Sequence, residues 1–322
     1  MLDKIRKRIL KTFFALCSIL LVLCFPRPSA GAFKESFLGA RSVAMGGAYT
    51  ALADDVDGSV INPAGLSMIK GQQIFATMSA LYVGLSDGSY LSQNILGYAH
   101  QQSNVGTLGV VWERMAAGSL YSENILAVSF ARAFRFYLKK SEEERRENLS
   151  FGATLNFMSW DSAPTVGADG RIVEDLPGWK GFSFDIGFVI WPSENTPVAV
   201  SIQNVSKPDI VSGVSDMTEE LPTSARMGVA AIGDKITWAM DMILRDGQLD
   251  LRVGLERRYD WNFILRGGFS LENLAWGTNI TLGAGYKPSE SLRIDYAFIY
   301  PVNTIRDTLG SHRVSIVYDF SQ

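Results

Sequence analysis

Leu249-Asp-Leu-Arg-Val-Gly-Leu-Glu256 sets an apolar residue against a polar residue or glycine at every step. Successive side chains of a strand point to opposite faces, so this stretch has one greasy face and one charged face. The pattern recurs on either side of it. Ile236, Trp238, Met240 and Met242 alternate with Thr237, Ala239, Asp241 and Ile243. Leu292, Ile294, Tyr296, Phe298 and Tyr300 alternate with Arg293, Asp295, Ala297 and Ile299. Val314, Ile316, Tyr318 and Phe320 close the chain against Arg313, Ser315, Val317 and Asp319.

Working outward gives fourteen such runs: 72–82, 89–100, 104–115, 122–133, 148–160, 181–191, 196–206, 223–232, 235–245, 248–258, 261–271, 275–287, 291–300 and 310–320. They fill residues 71–322, at 18 residues per strand with its connection. That spacing and the even count suit a transmembrane antiparallel β-barrel, whose spanning strands need about 9–11 residues. An exported β-sandwich would alternate too, but its outward face would be polar. Here the polar face is rich in Gly, Ser, Asn and charge. The apolar face carries Trp238, Trp276, Tyr286, Tyr296, Tyr300 and Tyr318 near strand ends, as an aromatic girdle would. The expected class is all-β, a barrel of about fourteen strands with its greasy face turned to outer-membrane lipid. With the N-terminus periplasmic, the even-numbered connections are mostly tight turns, and the odd ones include the long 161–180, 207–222 and 301–309. The charged 134–147 breaks that rule: it is even-numbered but long.

The chain has 322 residues, a net charge of −3 and 47% hydrophobic residues, and no stretch after the first thirty is apolar for the ~18 residues that mark a membrane helix. The first 32 residues hold both cysteines, Cys17 and Cys24, and six of the basic residues, leaving 24 basic against 32 acidic residues beyond them. An acidic, thiol-free remainder argues against nucleic acid as partner and excludes cysteine nucleophiles, disulfides and cysteine-based zinc sites. Lys4, Arg6, Lys7, Arg8 and Lys11 precede the apolar Thr12–Phe25, and Ala30-Gly31-Ala32 offers small residues at −3 and −1. These are the parts of a secretory signal peptide, expected as residues 1–32, with cleavage after Ala32 or, second, after Ala30.

Residues 33–70 do not alternate. Asp54-Asp55-Val56-Asp57-Gly58 reads as a turn, and Asn62 before Pro63 as a helix N-cap with proline at the first helical position. A segment of 38 residues is too short to form a domain, so it is expected as a hatch inside the barrel of 71–322. Its motifs resemble a known family. Gly39 to Ala48 with Gly46 and Gly47, then Ala53-Asp54-Asp55, then Asn62-Pro63-Ala64-Gly65-Leu66 are similar to the N-terminal signature of the PorV/PorQ family. The resemblance implies the FadL-type superfamily of outer-membrane hydrocarbon transporters, fourteen-stranded with a hatch carrying Asn-Pro-Ala. External loops shorter than those of typical FadL transporters tilt it to the PorV/PorQ branch, similar to accessory components of type IX secretion. Tyr318 and Phe320 resemble the aromatic-ended signal read by the barrel assembly machinery, although Ser321-Gln322 follows them.

No enzymatic constellation stands out. His100 and His312 lie near strand ends, the Asp55-Val56-Asp57-Gly58 turn lacks both terminal ligands of a calcium loop, and Gly283-Ala284-Gly285 lies within a strand. No catalytic residue, metal or cofactor is expected. The inner wall is expected to carry Glu113, Asp185, Arg226, Asp241, Arg252, Glu256, Arg266, Arg293, Asp295, Arg313 and Asp319. So many enclosed charges must be paired or hydrated. Arg266, Arg293, Asp295 and Arg313 are expected to anchor the hatch around Asp54, Asp55 and Asp57. Three functions follow as expectations: a secretion or surface-export component with partner proteins at 161–180 and 207–222; a FadL-like passage for small hydrophobic molecules; and a lipid enzyme.

Overall fold

The structure, a computed structural model, describes residues 33, 39–134, 149–166, 171–174, 178–214, 218–273, 277–303, 305 and 308–320. Each alternating run of the sequence is a strand. In chain order they are β1 (Gln72–Leu81), β2 (Leu91–Gln102), β3 (Gly106–Ala117), β4 (Tyr121–Phe134), β5 (Leu149–Ser162), β6 (Thr165–Val166), β7 (Ile172–Glu174) and β8 (Trp179–Ser193). There follow β9 (Thr196–Gln203), β10 (Ser224–Ile232), β11 (Ile236–Arg245), β12 (Gln248–Arg258), β13 (Phe263–Glu272), β14 (Gly277–Ser289), β15 (Leu292–Pro301) and β16 (Ser311–Phe320).

Fourteen of these close into one antiparallel barrel, each paired with its neighbours in the chain. The ring is completed by β1 on β16, in a register that sets Met78 opposite Val314. The remaining two, β6 and β7, form a separate hairpin. They lie within 161–180, which was expected as plain loop: their two and three residues are too short to show a period. Closure leaves no free sheet edge, the condition for a sheet to cross a bilayer.

The two faces of the wall divide as the alternation requires. On β3, Leu108, Val110 and Trp112 point outward and are 54%, 44% and 41% exposed, whereas Thr107, Val111 and Glu113 point inward and are buried. Trp238, Tyr286, Tyr296, Tyr300 and Tyr318 of the expected girdle are all on the exposed outer face. Trp276 lies outside the described residues, as does almost all of the charged connection 134–147.

One end of the barrel carries short turns, at 103–105, 194–195, 233–235, 259–262 and 290–291; the other carries the longer 82–90, 163–178 and 204–223. A tight exception at the long-loop end is Asp246-Gly247, both with positive φ (47° and 72°), the geometry of a two-residue hairpin turn. Residues 39–70 lie inside, as α1 (Ala40–Ala44), α2 (Gly58–Ile61) and a 3₁₀ helix, Pro63–Met68. Their small residues are almost fully buried against the inner wall.

Candidate functional site: the hatch and its seat

The hatch is held by shape, by hydrogen bonds and by charge. Shape comes from glycines inside strands, which mark places where another backbone approaches closely. A Cβ on Gly254 or Gly268 would collide with the backbone of Met45 and Gly46; one on Gly152 or Gly187 would collide with Asn62, Pro63 or Ala64. Gly97 faces Val56, Gly109 faces Leu66 and Gly283 faces Ala44 in the same way. Gly46 and Gly47 of the motif take φ of 66° and 75°, the left-handed turn that ends α1 and presses it to the wall. Gly65 packs against the Ala53 carbonyl, leaving no room for a side chain.

Hydrogen bonds fix the register of the segment. Asn62 caps the 3₁₀ helix by accepting from the Ala64 N–H at 3.1 Å, with Pro63 at its first position. Its Nδ2 donates to the Thr50 carbonyl at 3.0 Å and to the Phe188 carbonyl of β8 at 3.3 Å. Asp241 on β11 accepts from the N–H groups of Tyr49 and Thr50, both at 2.9 Å, and from the Thr50 hydroxyl at 2.6 Å. The Ser315 hydroxyl on β16 accepts from the Ala40 N–H at 2.8 Å, and Gln73 on β1 accepts from the Val56 N–H at 2.8 Å.

Charge closes a ring of three arginines and three carboxylates across the lumen. Arg41 Nε reaches Glu256 at 3.2 Å, and Glu256 holds Arg266 at 2.8 Å. Arg266 holds Asp295 at 2.8 Å, Asp295 holds Arg293 at 2.7 Å, and Arg293 returns to Asp55 at 2.9 Å. Asp55 lies 3.6 Å from Arg41 and accepts from the Tyr49 hydroxyl at 2.9 Å. Asp54 attaches to Arg41 at 2.5 Å and Arg258 to Glu256 at 3.1 Å, so the extended network is neutral. Burial alone would lower the Arg41 pKa, but Asp54, Tyr49, Glu256 and Asp55 outweigh it and hold the guanidinium well above its usual value. Burial in turn raises the Tyr49 hydroxyl well above its usual value, so it stays a donor.

All eleven expected wall charges point inward, yet they meet the hatch differently. Arg293 contacts Asp55 directly, whereas Arg266 and Asp295 act one step removed, through Glu256 and Arg293. Asp57 accepts from the Gly39 N–H at 2.8 Å and the Ser42 hydroxyl at 2.5 Å. Arg226 bonds Gln203 at 2.9 Å, Arg252 lies 3.9 Å from Asp250, and Asp319 accepts from Gln73 at 2.8 Å. Asp185 accepts from the Asn204 N–H at 2.8 Å and from Asn156 at 2.9 Å. Arg41, the hatch's own cation at the hub of the ring, was not singled out from the sequence, although it stands within the quoted motif. The histidines lie at opposite ends of the wall: Ala80 of β1 pairs with His312 and Gln72 with His100, eight residues or about 27 Å apart.

A separate apolar cluster lies at the long-loop end. Ile210 and Leu221 of the β9–β10 connection fold inward onto Met158, Trp160 and Trp179, and the Trp160 indole donates to the Ile210 carbonyl at 2.7 Å.

A fourteen-stranded membrane barrel carrying an internal hatch is the class that fold and site define. Solved structures bear out the fold. The monoaromatic hydrocarbon channel CymD matches with a TM-score of 0.62 at 15% identity, over 90% of this chain and 100% of its own. The Ralstonia pickettii toluene transporter TbuX matches with 0.61 at 14% identity, over 89% and 99%. A Pseudomonas aeruginosa FadL homologue matches with 0.54 at 12%, over 92% and 100%. No curated protein matches. The model of the type IX secretion system membrane protein family PorP/SprF matches residues 57–318, and the chain belongs to that family. It is thus an outer-membrane component of type IX secretion with a FadL-like fold, the secretion system to which the motif resemblance led.

Proposed function

We propose that the barrel serves type IX secretion as a plugged docking platform, not as a conduit. The observation that carries this is the closed ring of charge joining Arg41 and Asp55 of the hatch to Glu256, Arg266, Asp295 and Arg293 of the wall. Displacing the hatch would separate buried partners, and stranding a buried charge costs several kcal/mol. Secretion-system proteins dock on the long connections 161–180 and 207–222. The short-turn end faces the periplasm, residues 1–32 are removed as a signal peptide, and Tyr318 and Phe320 are read by the barrel assembly machinery. Outer-membrane lipid covers the apolar face.

A disulfide lock tests the plugged state. The Ser67 hydroxyl of the hatch donates to Ser150 of β5 at 2.8 Å, so a Ser67→Cys, Ser150→Cys pair is within bridging reach. The chain beyond residue 32 has no other cysteine. Secretion should be the same with the bridge oxidised or reduced, and hydrophobic solutes should not enter in either state. Secretion lost on oxidation and regained on reduction would show that the hatch must move. Solute uptake gated by the bridge would establish the FadL-like passage instead, with Asn62-Pro63-Ala64 as the moving part.

A further inference from the structure

Phe33 is buried at the long-loop mouth, far along the chain from the strands that surround it. Its ring centroid lies 6.1 Å from that of Trp179, among Met158, Trp160, Ile210 and Leu221. Its backbone N–H donates to Glu123 Oε2 at 3.2 Å. Glu123, third residue of β4, is 3% exposed, and its other oxygen accepts from the Tyr121 hydroxyl at 3.0 Å. Among the described residues no cationic side chain pairs with it. A buried carboxylate held by one hydroxyl and one amide lacks the countercharge that such a group normally has.

We propose that Glu123 is the binding site for the chain's own α-ammonium, created when the signal segment is cut off before Phe33. This rests on the cleavage proposed above. Hydrolysis of the Ala32–Phe33 bond leaves the new carboxylate on the departing segment and the new amine on Phe33. That amine takes the place of the amide already lying against Glu123, and it brings the missing positive charge and two further donors. Cleavage after Ala30 would put the amine two residues away on Gly31 and leave the carboxylate on an uncharged amide. Processing therefore completes a latch. The charged terminus is fixed on β4, and its aromatic ring is clamped beneath the β9–β10 connection that covers the mouth.

The test uses the full-length protein purified from outer membranes in detergent. Mass spectrometry should find a chain beginning at Phe33. A chain beginning at Gly31 overturns the latch and leaves the signal reading intact; an uncut chain overturns both. Labelling with an amine-acylating reagent at neutral pH is then followed at the terminal peptide. In the folded protein the α-amine should react roughly ten-fold or more slowly than after denaturation, as expected of a group reached only by local opening. Glu123→Gln should raise the folded rate several-fold. Should that variant fail to fold, inserting Gly-Ser between Ala32 and Phe33 keeps Glu123 and moves the amine away, and the rate should rise likewise. An α-amine in the folded wild type that reacts as fast as in the denatured chain would overturn the proposal.

Discussion

Replacing Arg293 by alanine should loosen the hatch without unfolding the barrel. The guanidinium donates to Asp55 at 2.9 Å and to Asp295 at 2.7 Å, and its side chain is only 14% exposed. Without it Asp55, itself 2% exposed, keeps only the Tyr49 hydroxyl and the longer contact with Arg41, and one Asp55 oxygen is already without a hydrogen bond. The ring then holds two arginines against three carboxylates. Removing one partner of a buried ion pair costs about 3–5 kcal/mol, and the slight exposure of Arg293 sets the lower figure, about 3 kcal/mol. At 1.36 kcal/mol per factor of ten, the open fraction of the hatch rises roughly a hundred-fold. Hydrogen exchange read at residues 39–62 should show that loss of protection, while amides of β3 and β4 exchange as before. Adding Asp55→Asn to Arg293→Met should recover much of it, because the two costs are coupled. Unchanged exchange in Arg293→Ala would refute the reasoning, since the ring would then not restrain the hatch.

Other expectations follow from the seat, the titration and the lipid face. Gly268→Ala should destabilise the hatch by about 2 kcal/mol, as overpacking does, whereas a Cβ on neighbouring Gly267 meets nothing nearer than 3.9 Å and its alanine variant should be neutral in the same exchange assay. Burial, reinforced by Asp55 and opposed by Ser42, Gly39 and Arg313, pushes the Asp57 carboxyl up to about 7 from an ordinary 3.8. The folded state therefore binds this proton more tightly than the unfolded state. Its stabilisation is complete below about pH 4 and is lost as pH rises through 7, so hatch protection should be weaker at pH 8 than at pH 5. Asp57→Asn should flatten that profile. Leu255→Arg, on the outer face of β12 at 52% exposure, should cost about 2 kcal/mol in lipid and lower the urea midpoint followed by heat-modifiable gel migration.

The barrel wall was readable because period two is the most direct signal a strand gives, and lipid on one side with polar lumen on the other keeps it clean. Leu249 to Glu256 shows this in eight residues. The same parity placed Glu256, Arg266, Arg293 and Asp295 on the inner wall. Which of them meet was not readable, because pairing across the lumen depends on strand stagger and on where the hatch lies. Arg41 gives no signal in the sequence for that reason: its partners are 13 residues away in Asp54 and 215 away in Glu256. The wall glycines carried a usable signal, since Gly152, Gly187, Gly254 and Gly268 interrupt strands that otherwise favour branched or aromatic residues. The β6–β7 hairpin and the inward fold of Ile210 and Leu221 gave none, being too short or too irregular for periodicity to mark.

The side chain of Gln73 has a consequence for how such a barrel is made. It lies on β1, accepts from Val56 of the hatch and donates to Asp319 of β16, the last barrel strand in chain order. Ser315 on that last strand in turn holds Ala40 and bonds Thr77 of β1 at 2.6 Å. The joint between first and last strands is thus knitted through the hatch, and the wall is moulded around it by glycine. A cylinder finished first would have to admit a segment that packs against the wall glycines with no room for a Cβ. A hatch laid against the sheet before β1 and β16 meet would face no such obstacle.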